Sequence, residues 1–261
     1  MSEELVIRRA GTRHHLVLSR PERGNSLSHD LVEALHEGLD GALQDGARLV
    51  VIEGEGRNFC TGFDLGDLER SSDADLLARF VRIELLLARL WAAPFATLAI
   101  AKGNTFGAGA DLFAACARRI ALTESRFAFP GAAFGLVLGT RRLAERIGQD
   151  RAQELVASGA TVDAQTALRF GLATEAIEPR DIDAAIENAS TSASRLDATT
   201  FSEIRVALAG GDPGLDADLA MLVRSAARPG LRRRIVEYRE RSLAARSSAR
   251  QKTEQERVSG G

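Results

Sequence analysis

The sequence has little cysteine, and its histidines do not form a metal-binding motif. Its two cysteines, Cys60 and Cys116, lie 56 positions apart in 261 residues, which is too sparse for a disulfide framework. The four histidines belong to no HExxH motif and to no cluster with cysteine. We therefore expect neither disulfide bonds nor a bound metal.

Long hydrophobic runs and an excess of one charge are also missing. Arg89 and Pro94 interrupt the longest apolar stretch, 85–101, and the opening residues MSEELVIRR lack the apolar core of a secretory signal peptide. The 34 basic and 36 acidic side chains nearly cancel, so no overall field attracts nucleic acid or an anionic membrane. These features predict a cytoplasmic protein that binds neither.

Hydrophobic residues make up 45% of the chain, enough for a substantial core. Short valine- and leucine-rich segments alternate with segments of helical periodicity and Gly-rich loops, an order typical of an α/β fold built as a ββα spiral. The predicted strands are 6–9, 15–18, 48–52, 96–101, 120–122 and 127–129. One predicted helix begins after Ser28. The other predicted helices span 74–90, 110–117, 141–158, 163–170 and 181–194.

The composition changes towards the C-terminus. We predict a core over 1–199, a helical and arginine-rich region over 200–245, and a polar tail over 246–261. The tail has too few apolar residues to bury, so we expect it to be disordered.

Two glycine-containing segments follow predicted strands. They are Cys60-Thr-Gly-Phe-Asp-Leu65 and Gly103-Asn-Thr-Phe-Gly-Ala-Gly-Ala-Asp111. Glycine lets a ligand approach the backbone closely, so such loops serve either binding or tight turns. In this order and spacing they resemble the F-x-x-G-x-D-L and N-G-x-x-x-G-G-G patterns of the crotonase (enoyl-CoA hydratase/isomerase) family. The resemblance extends through 20–26, 127–130, 135–136 and 142–143 to the C-terminal helices.

The resemblance implies a crotonase-like ββα spiral core with a C-terminal helical trimerisation region. It implies an acyl-CoA thioester as the small-molecule substrate and a homotrimer or dimer of trimers as the assembly. No organic cofactor is expected, because the thioester itself accepts the electrons of the reaction.

The two loops would supply an oxyanion hole. The family's two binding amides fall on Phe63 and Ala108, whose backbone N–H groups would bind the thioester oxygen. Preorganised donors stabilise the charge that develops on this oxygen, and losing one costs about 2.7–4 kcal/mol in comparable sites. The alternative is that the glycines serve turns only and that Phe63 is a core residue.

Asp111 corresponds to a catalytic glutamate of the family's hydratases, and the resemblance makes it the general acid or base. Alternatively it caps the helix or pairs with an arginine such as Arg118. Gly131 stands where these hydratases carry their second catalytic carboxylate, so the two-carboxylate arrangement is lost. Glu84 is a candidate replacement acid, although most helical glutamates face solvent.

The resemblance also implies a coenzyme A site. It lies near Gly62 and Leu65, with Arg23 close to the phosphates. The residues that complete the predicted substrate-binding set are Gly107, Gly131, Arg141, Tyr238 and Arg239. For Arg141 the alternative is exposure to solvent, and for Tyr238 and Arg239 it is ordinary helix packing.

The predicted function is that of an acyl-CoA enzyme of enoyl-CoA hydratase or isomerase type that stabilises a thioester enolate, a chemistry common in fatty acid metabolism. One carboxylate suits isomerisation better than hydration, because moving a double bond needs one group to shuttle one proton. Two alternatives stay open. One is a non-catalytic acyl-CoA-binding homologue, and the other is a hydrolase or dehalogenase of a specialised acyl-CoA.

Overall fold

The computed structural model describes residues 3–208 and 214–259, without the side chains of 246 and 248–259. Its strands are β1 (Leu5–Ala10), β2 (Arg13–Leu18), β3 (Leu49–Gly54), β4 (Ala96–Ala101), β5 (Asn104–Phe106), β6 (Arg118–Leu122), β7 (Arg126–Ala128), β8 (Val162–Asp163) and β9 (Glu175–Ile177). Its α-helices are α1 (His29–Gln44), α2 (Asp73–Trp91), α3 (Ala108–Ala115), α4 (Thr140–Ile147), α5 (Gln149–Ser158), α6 (Ala164–Phe170), α7 (Ile182–Ala193), α8 (Ala198–Leu208), α9 (Leu215–Ala226) and α10 (Leu231–Ser259).

Six strands form the main sheet in the order β1-β2-β3-β4-β6-β9, and only the β1–β2 pair is antiparallel. Both faces of this sheet are covered, which explains the continuous apolar runs in β3 and β4. Val50 and Ile52 join the large core beneath α1, α2 and α3, whereas Leu49 and Val51 join a smaller core under α7. A second sheet, β5-β7-β8, lies beside it.

Helices α1 and α2 both begin at polar N-cap residues. The Ser28 side chain accepts a hydrogen bond from the Leu31 N–H at the start of α1. Ser72 and Asp75 form a reciprocal capping box at the start of α2. Both helices bury one apolar face, so α2 is held between α1 and the core.

Two predicted elements differ from the structure. The predicted helix 141–158 is divided into α4 and α5 at Gly148, whose φ of 85° and ψ of 154° are outside the helical region. Within the segment 246–261, which was expected to be disordered, the backbone of α10 is helical to Ser259, and residues 260 and 261 lie outside the described residues. Its arginine, glutamate and glutamine residues are good helix formers, and polarity argues against burial rather than against helicity. The division between 1–199 and 200–245 stays a prediction.

None of the described helices is long and apolar enough to cross a membrane. Within the same residues, no group of three or more His, Cys, Asp or Glu side chains could hold a metal ion.

Candidate active site

A largely apolar cavity of about 350 Å³ lies between the two glycine-containing loops, the 3-10 helix Pro130–Phe134 and α10. Asp111 and Arg239 are the charged side chains in its lining. The apolar and aromatic residues of the lining include Phe63, Leu65, Phe80, Phe106, Phe129, Phe134, Leu136, Leu138, Leu143, Val156 and Ile235. A cavity of this kind with one acidic group is a default candidate for an active site.

Backbone hydrogen bonds hold the two loops against each other. The Phe106 N–H donates to the Cys60 carbonyl at 3.0 Å and joins the two loops, while the Leu27 N–H donates to the Gly62 carbonyl at 2.7 Å and ties the first loop to the segment before α1. A Cβ on Gly62, where φ is 101°, would lie 2.8 Å from the Phe106 carbonyl oxygen and 3.5 Å from the Ala108 nitrogen. Glycine is therefore required at 62, since a side chain would force the loops apart.

Phe63 and Ala108 both line the cavity. Ala108 is the first residue of α3, where the helix leaves its N–H groups without acceptors. Within the described residues, neither the Phe63 N–H nor the Ala108 N–H donates a hydrogen bond to the protein. Two unused donors at the wall of one apolar cavity can bind an oxygen that gains negative charge, and the helix dipole of α3 favours this charge.

The Phe63 side chain fixes the first loop. Its ring stacks on Phe80 of α2 with centroids 4.3 Å apart, and the Arg79 guanidinium lies 4.2 Å from its centroid. Arg79 also donates to the Asp64 carbonyl at 3.0 Å. The ring therefore has a structural role in addition to that of the backbone N–H.

Asp111 lies on the first turn of α3 and is 7% exposed. Among the side chains that the structure describes, none donates a hydrogen bond to its carboxyl group, and Arg118 pairs with Glu175 instead. Burial holds the pKa of Asp111 well above its ordinary value, while Arg142 lowers and Glu84 raises it. A carboxyl group in this setting can carry a proton near neutral pH.

Glu84 does not line this cavity. It is 1% exposed, and both of its carboxylate oxygens lie 2.6 Å from Nη2 of Arg142. Burial raises the pKa of Glu84 above its ordinary value, and the guanidinium opposes this effect. The structure thus places Glu84 below the cavity wall as an ion-pair partner rather than as a second acid in the cavity.

Arg141 also lies outside the cavity lining. Its guanidinium binds Asp218 through Nε and Nη2 at 2.9 and 2.7 Å and also contacts Glu145. Thr140 and Leu143 on the same helix do line the cavity. The helical phase of α4 therefore turns residue 141 towards α9.

Four residues predicted for substrate binding lie together in the cavity wall. Gly62 and Leu65 come from the first loop, and Gly107 precedes α3. Gly131 begins the opposite wall, and a Cβ there would have only the Leu136 carbonyl oxygen, at 3.8 Å, within 4 Å. A Cβ at this position would thus meet no close contact.

Tyr238 and Arg239 of α10 also line the cavity. The Tyr238 ring lies 5.2 Å from Phe134, and Arg239 reaches Glu69 at 3.3 Å. The predicted pair is thus brought to the cavity by its own chain. Arg23 lies exposed in the 3-10 helix Pro21–Arg23 and does not line the cavity.

Sequence reasoning missed three residues that shape this site. Arg142, 1% exposed, binds Glu84 and also Asp218 at 2.8 Å. A Cβ on Gly139 would overlap the Asp111 carboxyl group. Arg234 donates to the Phe134 carbonyl at 2.7 Å and so holds the opposite wall. An arginine in an apolar helical phase was a signal available for Arg142, whereas the other two contacts have no signature in the sequence.

A comparison with known proteins matches residues 14–205 to the model of the enoyl-CoA hydratase/isomerase family. “Probable enoyl-CoA hydratase echA6” of Mycobacterium bovis is 36% identical over 160 residues, which are 60% of this chain and 63% of that protein. “Enoyl-CoA isomerase/hydratase fer4” of Mycosarcoma maydis is 32% identical over 172 residues, which are 61% of this chain and 63% of that protein. These matches therefore span less than two thirds of either relative.

Among solved structures, an enoyl-CoA hydratase/isomerase-type protein of Bordetella parapertussis superposes with a TM-score of 0.88 at 45% identity. The superposition covers 91% of this chain and 98% of that one. An enoyl-CoA hydratase of Bacillus halodurans, 20% identical, shares the fold with a TM-score of 0.79 over 90% of this chain and 100% of that one. The predicted α/β fold class is confirmed.

Proposed function

Since the chain belongs to the enoyl-CoA hydratase/isomerase family, we propose that it converts an unsaturated acyl-CoA thioester through an enolate-like intermediate. The observation that carries this proposal is the pair of unused backbone N–H groups, at Phe63 and Ala108, in a cavity that holds one buried carboxyl group. The thioester oxygen would accept from both N–H groups. Charge on that oxygen would then be stabilised where it develops.

Asp111 would carry the proton. As a carboxylate it would remove a proton from the carbon next to the thioester, the electron pair of that C–H bond would form a double bond to the thioester carbon, and the carbonyl π pair would move onto the thioester oxygen. Returning the proton to the far carbon of the former double bond completes an isomerisation and restores the carboxylate. One group thus performs both transfers, and no second acid is needed.

The coenzyme A portion would lie along the first loop. Gly62 and Leu65 would contact the nucleotide end, and Arg23 is exposed and available to its phosphates. Tyr238 and Arg239 would close the cavity over the thioester from α10. The apolar lining favours an uncharged acyl group.

Mass spectrometry in deuterated water would test the reaction. The purified protein would be incubated with crotonyl-CoA, a 3-enoyl-CoA and a saturated acyl-CoA. A shifted double bond with incorporated deuterium is expected for the 3-enoyl-CoA, because one carboxyl group exchanges its proton with solvent. A mass gain of one water on crotonyl-CoA would instead assign hydration.

Replacing Asp111 tests the role of the carboxyl group. Asp111→Asn should reduce turnover by on the order of a hundredfold or more, since a general acid–base group contributes about 10²–10⁴. Binding of coenzyme A, measured by calorimetry, should stay the same. Asp150→Asn, an exposed acid in the first turn of α5, is the control and should keep full turnover. Unchanged turnover in Asp111→Asn would remove this residue from the mechanism.

The glycine at 131, where the family's hydratases carry their second carboxylate, favours a second candidate, a homologue that binds acyl-CoA without converting it. In that case the labelled thioesters would bind and be recovered unchanged. Release of free coenzyme A or of halide would point to the third candidate, a hydrolase or dehalogenase. The same incubation therefore distinguishes all three.

A further inference from the structure

A buried charge cluster lies behind the cavity wall that carries Asp111. It consists of Glu84 from α2, Arg142 from α4 and Asp218 from α9. Glu84 and Arg142 are each 1% exposed, and the Asp218 side chain is 12% exposed. Buried charges are costly unless they are paired, so this cluster needs a physical reason.

The hydrogen bonds of Arg142 are directed away from Asp111. Nη2 is bound to both oxygens of Glu84 at 2.6 Å, and Nη1 is bound to Asp218 at 2.8 Å. The buried Nε has no acceptor among the described residues. One guanidinium is thus shared by two carboxylates, while Asp111 receives no hydrogen bond from it.

Asp111 nevertheless lies next to the helix that carries Arg142. Its carboxyl group packs against the backbone of Gly139, the residue that precedes α4, and Arg142 follows three positions later. Arg142 and Glu84 are also the two charged groups whose fields act on Asp111. The acid in the cavity and the ion pair behind it are therefore close enough to interact electrostatically.

We propose that Glu84 is a positioning residue, which holds the Arg142 guanidinium in an ion pair behind the cavity so that Asp111 stays free to exchange a proton. Without Glu84, Nη2 of Arg142 would lose both of its acceptors while Nη1 kept Asp218, and the freed Nη2 would be drawn towards Asp111 in the cavity wall. An Asp111 carboxylate locked in such a pair would be a poor base. The inference rests on the proposed function, because it assigns Asp111 the proton transfer.

The groups around Asp111 determine whether its pKa rises or falls when the charge of Glu84 is removed. Burial raises its pKa, Arg142 lowers it, and Glu84 raises it. From α10, Arg239 and the Tyr238 phenol line the same cavity, and Arg239 is paired with Glu69. Removing the charge of Glu84 removes a repulsion and also leaves Arg142 less neutralised, and both changes lower the pKa of Asp111.

Infrared spectroscopy measures the protonation of Asp111 directly and so tests the role of Glu84 without relying on activity. The band of the protonated Asp111 carboxyl group is assigned by its loss in Asp111→Asn and is titrated against pH. In Glu84→Gln, whose amide oxygen can still accept from Arg142, the midpoint should move to lower pH by about one unit. The acid limb of the turnover profile should move with it, and the plateau rate should fall.

Asp218→Asn is the matched control. It also removes one carboxylate from Arg142, but the repulsion that raises the pKa of Asp111 comes from Glu84. Its midpoint should move to lower pH by clearly less than that of Glu84→Gln, because it leaves Arg142 less neutralised but keeps the repulsion between Glu84 and Asp111. A control midpoint that moves as far as that of Glu84→Gln would show that the effect is a general response to loosening Arg142, and would overturn the proposal.

The double substitution Glu84→Met with Arg142→Met covers the case in which Glu84→Gln fails to fold. Replacing a whole buried ion pair by apolar side chains is often tolerated. Because Arg142 acts on Asp111 more strongly than Glu84 does, the midpoint should then move upwards, opposite to the single variant. An unmoved midpoint in both variants would overturn the inference. A moved midpoint without any effect on turnover would leave the electrostatics intact and reject Asp111 as the proton carrier.

Discussion

At the scale of single residues, the geometry of the site depends on the positions of its glycines as much as on Asp111. Gly139 has a φ of +64°, and its missing side chain leaves the room that the Asp111 carboxyl group occupies. Gly62 does the same for the contact between the two loops. Both positions place functional groups by leaving space for them, and Gly139, which lies in neither glycine-containing segment, therefore did not stand out in the sequence.

Gly139→Ala should reduce turnover by on the order of a hundredfold, because the new Cβ displaces the Asp111 carboxyl group and small misplacements of a catalytic group are costly. Gly46→Ala is the matched control. Gly46 has the same φ of +64° but no atom within 4 Å of the added Cβ. It should lose about 1 kcal/mol of stability through backbone strain and keep its turnover. Denaturant unfolding and initial rates, measured on both variants, would contradict the prediction if the two behave alike.

At the scale of elements, α10 completes the cavity, and the first turn of α2 holds the start of α10 in place. The Asp73 carboxylate on the first turn of α2 accepts hydrogen bonds from the N–H groups of Gly230, Leu231 and Arg232 at 2.8–3.1 Å. These hydrogen bonds, led by that of Arg232, hold the pKa of Asp73 below its ordinary value. The stabilisation is therefore present above the ordinary carboxyl pKa and is lost as the pH falls through the lowered one.

Asp73→Ala should loosen α10 and raise the KM for the thioester, with a smaller effect on kcat. Hydrogen exchange of the backbone N–H groups in the first turns of α10 would measure the loosening, which should be faster than in the wild type at neutral pH. Acidification should abolish the difference, since a protonated Asp73 caps poorly. Asp163→Ala, which removes the cap of α6 instead, should leave α10 unaffected. Unchanged exchange in Asp73→Ala would refute the proposed anchoring.

At the scale of the whole molecule, α8 has an unusual surface. It buries no residue within the chain, and Ile204, Val206 and Leu208 are 43%, 57% and 83% exposed. Ile204 and Leu208 lie one helical turn apart on the same face of α8, and exposed apolar side chains grouped in this way favour contact with another surface. Together with the family membership, this supports our proposal that the protein forms a homotrimer or a dimer of trimers.

Sedimentation velocity should therefore give a mass of three or six chains. The double substitution Ile204→Glu with Leu208→Glu should lower the mass to that of one chain, because two charges on one face of α8 would be buried in the contact. Leu168→Glu on α6, where the leucine is 37% exposed, serves as the control and should keep the assembly. A wild-type protein that sediments as a single chain would contradict the proposal.

Much of the fold was predictable because local patterns specify it. The spacing of Leu31, Val32, Leu35 and Leu39 after the Ser28 cap predicted α1, and apolar runs predicted β3 and β4. Strand β5 was missed because its three residues lie in a Gly-rich loop and are stabilised by pairing with β7. The break at Gly148 was missed because one glycine is compatible with a continuous helix.

The sequence by itself determined the fold class, the two loops and the acid three residues beyond Ala108, since all three are encoded in short segments with recognisable spacing. Only the tertiary structure decided what Glu84, Arg141 and Arg142 do. Apart from Glu145, four residues after Arg141, their partners lie 58 to 77 positions away along the chain, and helical phase together with packing selects them. An ion pair between distant segments leaves no local pattern, so the electrostatic environment of Asp111 could be recognised only after α2, α4 and α9 had been brought together.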